Sequence, residues 1–225
     1  KSKLDLDILK QCISQRVDGI ITLLEPEDDV IDTARLNNIP LVMLGRNVDK
    51  DYIDLVYTDD KLGGQLAAYY LINFHHLDKF VYIKLANAEC SRRRFDAFQK
   101  AVKELNSDAE IAVINQNQLN TKLIQLIHNQ YYGLFCFNDE LAYEALKILN
   151  KEIPNVRKVL PRLHIVGYDC ISTRINGFTD LTSIDFDYDE ICHTAVKFLL
   201  NRFENIKLEQ QKIVFTVKLH QRKYI

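Results

Sequence analysis

The feature that most constrains this chain is its alternation. Short apolar runs suited to strands are separated by stretches whose apolar residues recur at helical spacing. The strand-like runs are Gly19–Leu24, Leu41–Leu44, Leu55–Thr58, Phe80–Leu85, Ile111–Ile114, Leu134–Phe137, Leu163–Val166, Leu181–Ile184 and Ile213–Leu219. Several are nearly continuous in apolar residues, as strands covered on both faces are. Helices are predicted over Leu4–Ser14, Asp29–Asn37, Lys61–Phe74, Leu119–Asn129 and Glu140–Leu149, with further helices opening near Ser91 and Tyr188. The helix near Ser91 puts Phe95, Phe98, Val102 and Leu105 on one face, and the one near Tyr188 does the same for Ile191, Ala195 and Leu199. Strands alternating with helices of this length imply βαβ units with right-handed crossovers, hence an α/β fold with doubly wound parallel sheets. Pro40 opens a strand, and Asp59-Asp60 can cap the helix that follows.

Composition sharpens this picture. With 225 residues and 47% hydrophobic content, the chain can bury one sizeable core or two smaller ones. Its 29 basic and 31 acidic residues leave a net charge of −2, without the basic excess that nucleic-acid binding requires. The run Arg92-Arg93-Arg94 is the longest basic one, and Arg92 and Arg93 read as a solvated helix start. The five cysteines, Cys12, Cys90, Cys136, Cys170 and Cys192, are odd in number and widely spaced. Buried free thiols in a reducing cytosol account for them better than disulfides or zinc, so a cytoplasmic location is expected. No apolar stretch approaches the roughly 18 residues of a membrane span. His75 and His76 are adjacent and cannot chelate together; they read as a solvated helix C-terminus. Neither a nucleophile elbow nor a phosphate-cradling glycine loop occurs. No enzyme activity, catalytic residue, metal or cofactor is therefore expected.

Three polar strings sit where apolar runs give way to loops: Arg94 with Phe98, Asn138-Asp139, and Val166-Gly167-Tyr168-Asp169. In an α/β chain, ligands bind at such strand ends. A guanidinium, a carboxamide and a carboxylate converging there can hold a polyhydroxylated small molecule by bidentate and charge-assisted hydrogen bonds. Of Asn138 and Asp139, one is expected to cap the next helix and the other to face the ligand. Gly167 lets the backbone turn or approach closely before Asp169. Phe186 and Tyr188 offer aromatic faces for a sugar ring or a planar base. Leu24, Glu25 and Arg46, at earlier strand ends, complete the candidate set. Because Arg94 is expected to line a cleft, its removal should cost the unliganded protein about 0.5 kcal/mol or less.

The same strings carry a family likeness. Val17-Asp18-Gly19-Ile20-Ile21, Ile39-Pro40-Leu41-Val42 with Gly45-Arg46, Val56-Tyr57-Thr58-Asp59-Asp60 with Gly63-Gly64, Arg94 with Phe98, Asn138-Asp139 with Ala142, Val166-Gly167-Tyr168-Asp169, Leu181-Thr182-Ser183-Ile184 and Arg222 follow one another in a fixed order. In that order they resemble the motifs of the effector-binding core of the lactose-repressor (LacI/GalR) family of bacterial transcription regulators. Departures are Ala97 and Glu144 for glycines, His75-His76 for Gly-His, and Phe186 for glutamine. The resemblance implies two similar subdomains of the periplasmic-binding-protein type with a ligand cleft between them, about 1–86 plus 187–212 and about 87–186 plus 213–225. It implies effector contacts from the Arg94 and Asn138 positions, and Asp169 is placed beside them because a carboxylate there can accept two sugar hydroxyls. It also implies a homodimer paired through the helix after Asn138-Asp139, with Tyr143 and Lys147, and through 171–177. DNA contact would come from a helix-turn-helix domain absent from this chain. The chain opens on a helix rather than a strand, so a first βαβ unit is expected to be missing as well. The effector is expected to be a sugar or sugar derivative, with no membrane partner. The competing reading is an extracytoplasmic sugar-binding protein of the ribose-binding type, against which the cysteines, Leu181–Ile184 and Arg222 argue.

Overall fold

The computed structural model describes residues 3–86, 88–174 and 181–222. Its strands are β1 (Lys3–Leu4), β2 (Ile20–Thr22), β3 (Glu25–Pro26), β4 (Leu41–Leu44), β5 (Ile53–Thr58), β6 (Lys79–Lys84), β7 (Glu110–Asn115), β8 (Gly133–Cys136), β9 (His164–Tyr168), β10 (Thr182–Asp185), β11 (Lys212–Phe215) and β12 (Lys218–His220). Its helices are α1 (Leu6–Ser14), α2 (Asp28–Leu36), α3 (Asp60–Tyr69), α4 (Glu89–Leu105), α5 (Leu119–His128), α6 (Asp139–Glu152), α7 (Val156–Val159) and α8 (Tyr188–Glu204), with α3 running on into a π-helical turn over Tyr70–Phe74. The chain forms two compact units, 1–58 with 187–216 and 59–186 with 217–225.

The first unit holds a parallel sheet in the order β11-β5-β4-β2, and a small β1-β3 pair. Leu9 of α1 and Val30, Ile31 and Ala34 of α2 bury against Leu41, Met43, Ile53 and Leu55 of β4 and β5. The edge strand β11 is clasped by a buried ion pair. Arg202 near the end of α8 forks onto Asp54 of β5, Nε at 2.8 Å and Nη2 at 2.7 Å, while the Gln211 backbone and side-chain amides donate to the same carboxylate at 2.7 and 3.0 Å. Asp54 at 0% exposure is tolerable only because every one of these donors is present.

The second unit holds a six-stranded sheet, β12-β10-β9-β8-β6-β7, parallel except for β12, which runs antiparallel to β10. The strict alternation of β6 shows why its interior, Phe80 to Ile83, is apolar and buried. Val81 and Ile83 face the helices α5 and α6, packing with Leu123, Leu141 and Leu149. Phe80 and Tyr82 face the other way, packing with Ala67 of α3 and Phe98 and Val102 of α4. Both faces are covered, so neither can be polar.

These units differ from the expected subdomains at two boundaries. The first crossing falls after Thr58 rather than near residue 86, because β6 pairs with β7 and β8 and α3 lies against α4. Gly64 is what permits that packing: a Cβ there would stand 2.3 Å from the Arg94 carbonyl oxygen. The apolar run Ile213–Leu219, read as one strand, is two. β11 joins β5 in the first sheet and β12 joins β10 in the second, so the last crossing falls after Thr216 rather than after residue 212. Among the cysteines, all five are free, but only Cys90, Cys136 and Cys170 are buried; Cys12 is half-buried and Cys192 exposed. No described helix is long and apolar enough to cross a membrane.

Candidate functional site

Arg94 faces inward because it lies one helical turn before Phe98, on the face that α4 buries. Its neighbours take the opposite face. Arg92 pairs with Asp96 and Glu89, and Arg93 with Glu89, as a solvated helix start should. Arg94 itself is only 5% exposed. Its Nε donates to Asp60 Oδ1 of α3 at 2.8 Å and its Nη1 donates to the Phe137 carbonyl oxygen at 2.7 Å. The guanidinium carbon sits 3.4 Å from the centre of the Tyr168 ring and 4.8 Å from that of Phe137. Burial alone disfavours its charge, but Tyr168, Asp60 and Asp169 outweigh that and raise its pKa, so the group stays cationic. Nη2 makes no hydrogen bond to another described residue, leaving one edge of the fork for a further acceptor.

Asp60 is a site residue that reading the sequence did not find. In the pair Asp59-Asp60, only Asp59 caps α3, its Oδ1 accepting from the Lys61 and Leu62 amides at 3.1 and 3.0 Å. Asp60 turns inward, and burial raises its pKa against the lowering effect of Arg94. The available signal was that two adjacent aspartates cannot both cap one helix.

Asn138 and Asp139 divide their roles differently from the expectation. Asn138 is the cap of α6, its Oδ1 accepting from the Leu141 amide at 3.0 Å, and its amide nitrogen has no partner among the described residues. Asp139 turns into the fold rather than toward the strand ends. It is fully buried, accepting from Ser183 Oγ at 2.6 Å and from the Ile171 amide at 2.9 Å. Burial pushes its pKa up to about 6, with the Ser183 and Ile171 hydrogen bonds holding it lower than burial alone would. Gly167 makes room for it: a Cβ at 167 would lie 1.9 Å from Asp139 Oδ1.

Asp169 follows β9 with φ +94°, and Cys170 follows with φ +49°, both in the left-handed region that side chains disfavour. The Asp169 amide donates to the Ile184 carbonyl at 2.9 Å and the Cys170 amide to Ser183 Oγ at 3.0 Å, which fixes the turn. Burial raises the Asp169 pKa and Arg94 opposes the rise. Phe186, ending the same sheet after β10, tilts against Tyr168 with ring centres 6.2 Å apart. The second unit thus brings Arg94, Asn138, Asp169 and Phe186 to the C-terminal ends of β6, β8, β9 and β10.

The other candidates belong to the first unit. Leu24 and Glu25 follow β2, and Arg46 follows β4 across the Gly45 turn at φ +75°, so all three stand at one end of that sheet. Glu25 lies 3.9 Å from Lys50. Tyr188 opens α8, which Asp187 caps through the Glu190 amide at 3.0 Å. The His75-His76 pair is not a solvated terminus throughout. His76 is exposed, but the His75 ring stacks on His164 with centres 3.3 Å apart, and its Nε2 is buried without a partner. Part of the expected pairing segment 171–177 lies outside the described residues. Among the described residues, no group of three or more His, Cys, Asp or Glu could hold a metal ion.

A family model for the periplasmic binding protein-like domain matches residues 69–223, more than half of the chain, and the chain belongs to that family. Its relatives and structural neighbours bear out the resemblance to lactose-repressor-type regulators. The chain is 26% identical over 213 residues to the HTH-type transcriptional repressor PurR of Actinobacillus pleuropneumoniae serotype 5b, covering 90% of this chain and 62% of that protein. The chain therefore spans somewhat less than two thirds of that relative's length. Its fold matches a crystal structure of a LacI family transcriptional regulator from Enterococcus faecium with bound ribose, at TM-score 0.79 and 22% identity, covering 96% of this chain and 82% of that one. It also matches a periplasmic binding protein/LacI transcriptional regulator from Alkaliphilus metalliredigens complexed with D-xylulofuranose, at TM-score 0.77 and 24% identity, covering 96% and 81%.

Proposed function

We propose that this chain is the effector-sensing domain of a bacterial DNA-binding transcriptional regulator, and that its effector is a sugar or sugar derivative held by Arg94, Asn138, Asp169 and Phe186. The observation that carries this reading is the state of Arg94: a cation kept charged by Asp60 and Asp169, locked on the Tyr168 ring, with an unspent donor edge at the strand ends. Such a fork can take two neighbouring hydroxyls at once. Asp169 can accept hydroxyl protons, the Asn138 amide can donate, and Phe186 can lie against ring C–H groups. The relatives' identity as repressors, and the sugars in the similar structures, support the same reading over an enzyme. The free cysteines suit a reducing cytoplasm. In the whole regulator, a dimer with DNA-binding heads, the effector would act by binding one conformational state better than another by about 1–3 kcal/mol.

The test is a thermal-shift screen of pentoses, hexoses, sugar phosphates and purines, in which a ligand at a hundred times its dissociation constant adds about 2.7 kcal/mol of stability. Calorimetric titration of the hit should then show at least tenfold weaker binding in Arg94→Lys and unchanged binding in Arg92→Ala. Equal losses in both variants would place the site elsewhere.

A further inference from the structure

At the opposite end of the second unit's sheet from Arg94 lies a cavity of about 410 Å³, within the range of roughly 300–1,000 Å³ usual for small-molecule sites. Its walls come from separate pieces of chain: Arg157 and Lys158 of α7, His164 at the start of β9, Thr182 at the start of β10, and Arg222 beyond β12. No aspartate or glutamate lines it, although acidic residues outnumber basic ones in the chain as a whole.

The local structure holds these cations in place. Asn150 near the end of α6 donates to the Leu146 carbonyl at 3.0 Å and accepts from the Val156 amide at 3.3 Å, tying the loop after α6 back to its helix. Asn155 turns the chain with φ +59°, and Val156 is buried at 0% exposure, which pins α7 by its first residue. Arg157, the next residue, is half-buried. Among the described residues no carboxylate pairs with it or with the exposed Lys158. A partly desolvated guanidinium without a counter-charge favours the uptake of an anion. The Thr182 hydroxyl, 5% exposed and 3.3 Å from the Tyr70 hydroxyl, supplies a neutral hydrogen-bonding group beside it.

We propose that this cavity is a second ligand site, distinct from the Arg94 site, for a small molecule carrying phosphoryl groups. The chemistry fits that class better than a planar carboxylate. Donors arriving from α7, β9 and the C-terminal segment approach from different directions, and a tetrahedral phosphoryl group presents acceptors in three directions at once. His164, its pKa lowered to about 4 by burial and by His75, is neutral at pH 7 and contributes a ring N–H rather than charge. The site also stands in line with the first. β9 runs from His164 to Tyr168, directly before Asp169, so the two sites lie at opposite ends of one strand, on the order of 15 Å apart.

The experiment is calorimetric titration of the chain with inorganic pyrophosphate at constant ionic strength, alongside citrate as a carboxylate of comparable charge. Saturable pyrophosphate binding is expected, at least tenfold tighter than citrate. Arg157→Gln and Lys158→Glu should each weaken it tenfold or more, and Arg94→Lys should leave it unchanged. Lys158 is exposed, so that variant tests the charge without touching the core, and circular dichroism confirms its fold. The proposal is overturned by the absence of saturable binding, by equal citrate binding, by binding that survives both cavity variants, or by binding lost in Arg94→Lys. The last result would move the anion to the effector site and leave that reading standing.

Discussion

At Arg94 a single guanidinium ties together α3, α4 and the loop after β8 while one donor edge stays unspent, and the structure changes what its loss should cost. Read from sequence, Arg94→Ala is nearly free for the unliganded protein. Built into the fold, it strands Asp60, 6% exposed, without its counter-charge. Breaking one side of a buried pair costs about 3–5 kcal/mol, whereas replacing both sides with apolar groups is often close to neutral. Arg94→Ala and Asp60→Ala should therefore each lower the urea-unfolding free energy by about 3 kcal/mol, and Arg94→Met with Asp60→Leu should recover most of it. Additive losses in that double variant would show that the pair is not coupled. Asp169 has a left-handed backbone, a conformation that costs about 1–3 kcal/mol and persists where the surroundings impose it. Asp169→Ala removes the carboxylate and keeps the strain, while Asp169→Gly removes both. The glycine variant should be more stable than the alanine variant by about 1 kcal/mol or more, with both equally defective in ligand binding. Equal stabilities in chemical denaturation would mean that the turn is unstrained.

At the scale of elements, α6 depends on its cap. Asn138→Ala should cost about 1 kcal/mol, and Asn138→Asp should retain the cap while exchanging the free amide donor for a second acceptor. Stability restored without affinity in Asn138→Asp would separate the capping role from the binding one; affinity retained in that variant would argue against the amide as a ligand donor. The crossing of α3 and α4 rests on Gly64, and Gly64→Ala forces either helix to move against backbone, at about 1–3 kcal/mol. Thermal unfolding no different from wild type would contradict that close approach. Most of the longer elements were legible in the sequence, because period and apolar content are local, and α4, α6 and α8 announce their faces. The short β1, which precedes the helix on which the chain was read to open, and β3 and α7 carry too few residues to show a period. What else escaped was set by partners far along the chain. Ile213–Leu219 is one apolar run by any local measure, and only the pairing of β11 with β5 and of β12 with β10 divides it. Of the candidate site, the motif residues were legible, but not their supports. Asp60, Tyr168 and Ser183 look like a cap, a strand-end loop residue and a strand hydroxyl until the fold sets them against Arg94 and Asp139.

At the scale of the whole molecule, the second unit buries groups whose titrations oppose one another. Burial raises the pKa of Asp139 to about 6, and raises those of Asp60 and Asp169 as well. Between pH 4 and 6 the folded chain keeps a proton on Asp139 that the unfolded chain has lost, and Asp60 and Asp169 act in the same direction, so their contribution to stability falls as pH rises. The histidines act in the other direction. Burial lowers the pKa of His164 to about 4 and lowers that of His75 too. Below about pH 6.5 the unfolded chain takes up protons that the folded chain refuses, so their contribution falls as pH drops. At about 1.4 kcal/mol per pH unit of displaced pKa, Asp139 accounts for up to about 3 kcal/mol across this window, and the half-buried His164, discounted for solvent screening, for a smaller amount of opposite sign. The wild type should thus show a shallow stability profile from pH 4 to 6.5. His164→Asn should become more stable, relative to its own value at pH 6.5, as the solution is acidified, and Asp139→Asn should lose stability more steeply than wild type. With no tryptophan in the chain, urea unfolding followed by far-ultraviolet circular dichroism at half-unit pH steps is the measurement. Parallel profiles for all three proteins would mean that neither group titrates as its burial requires.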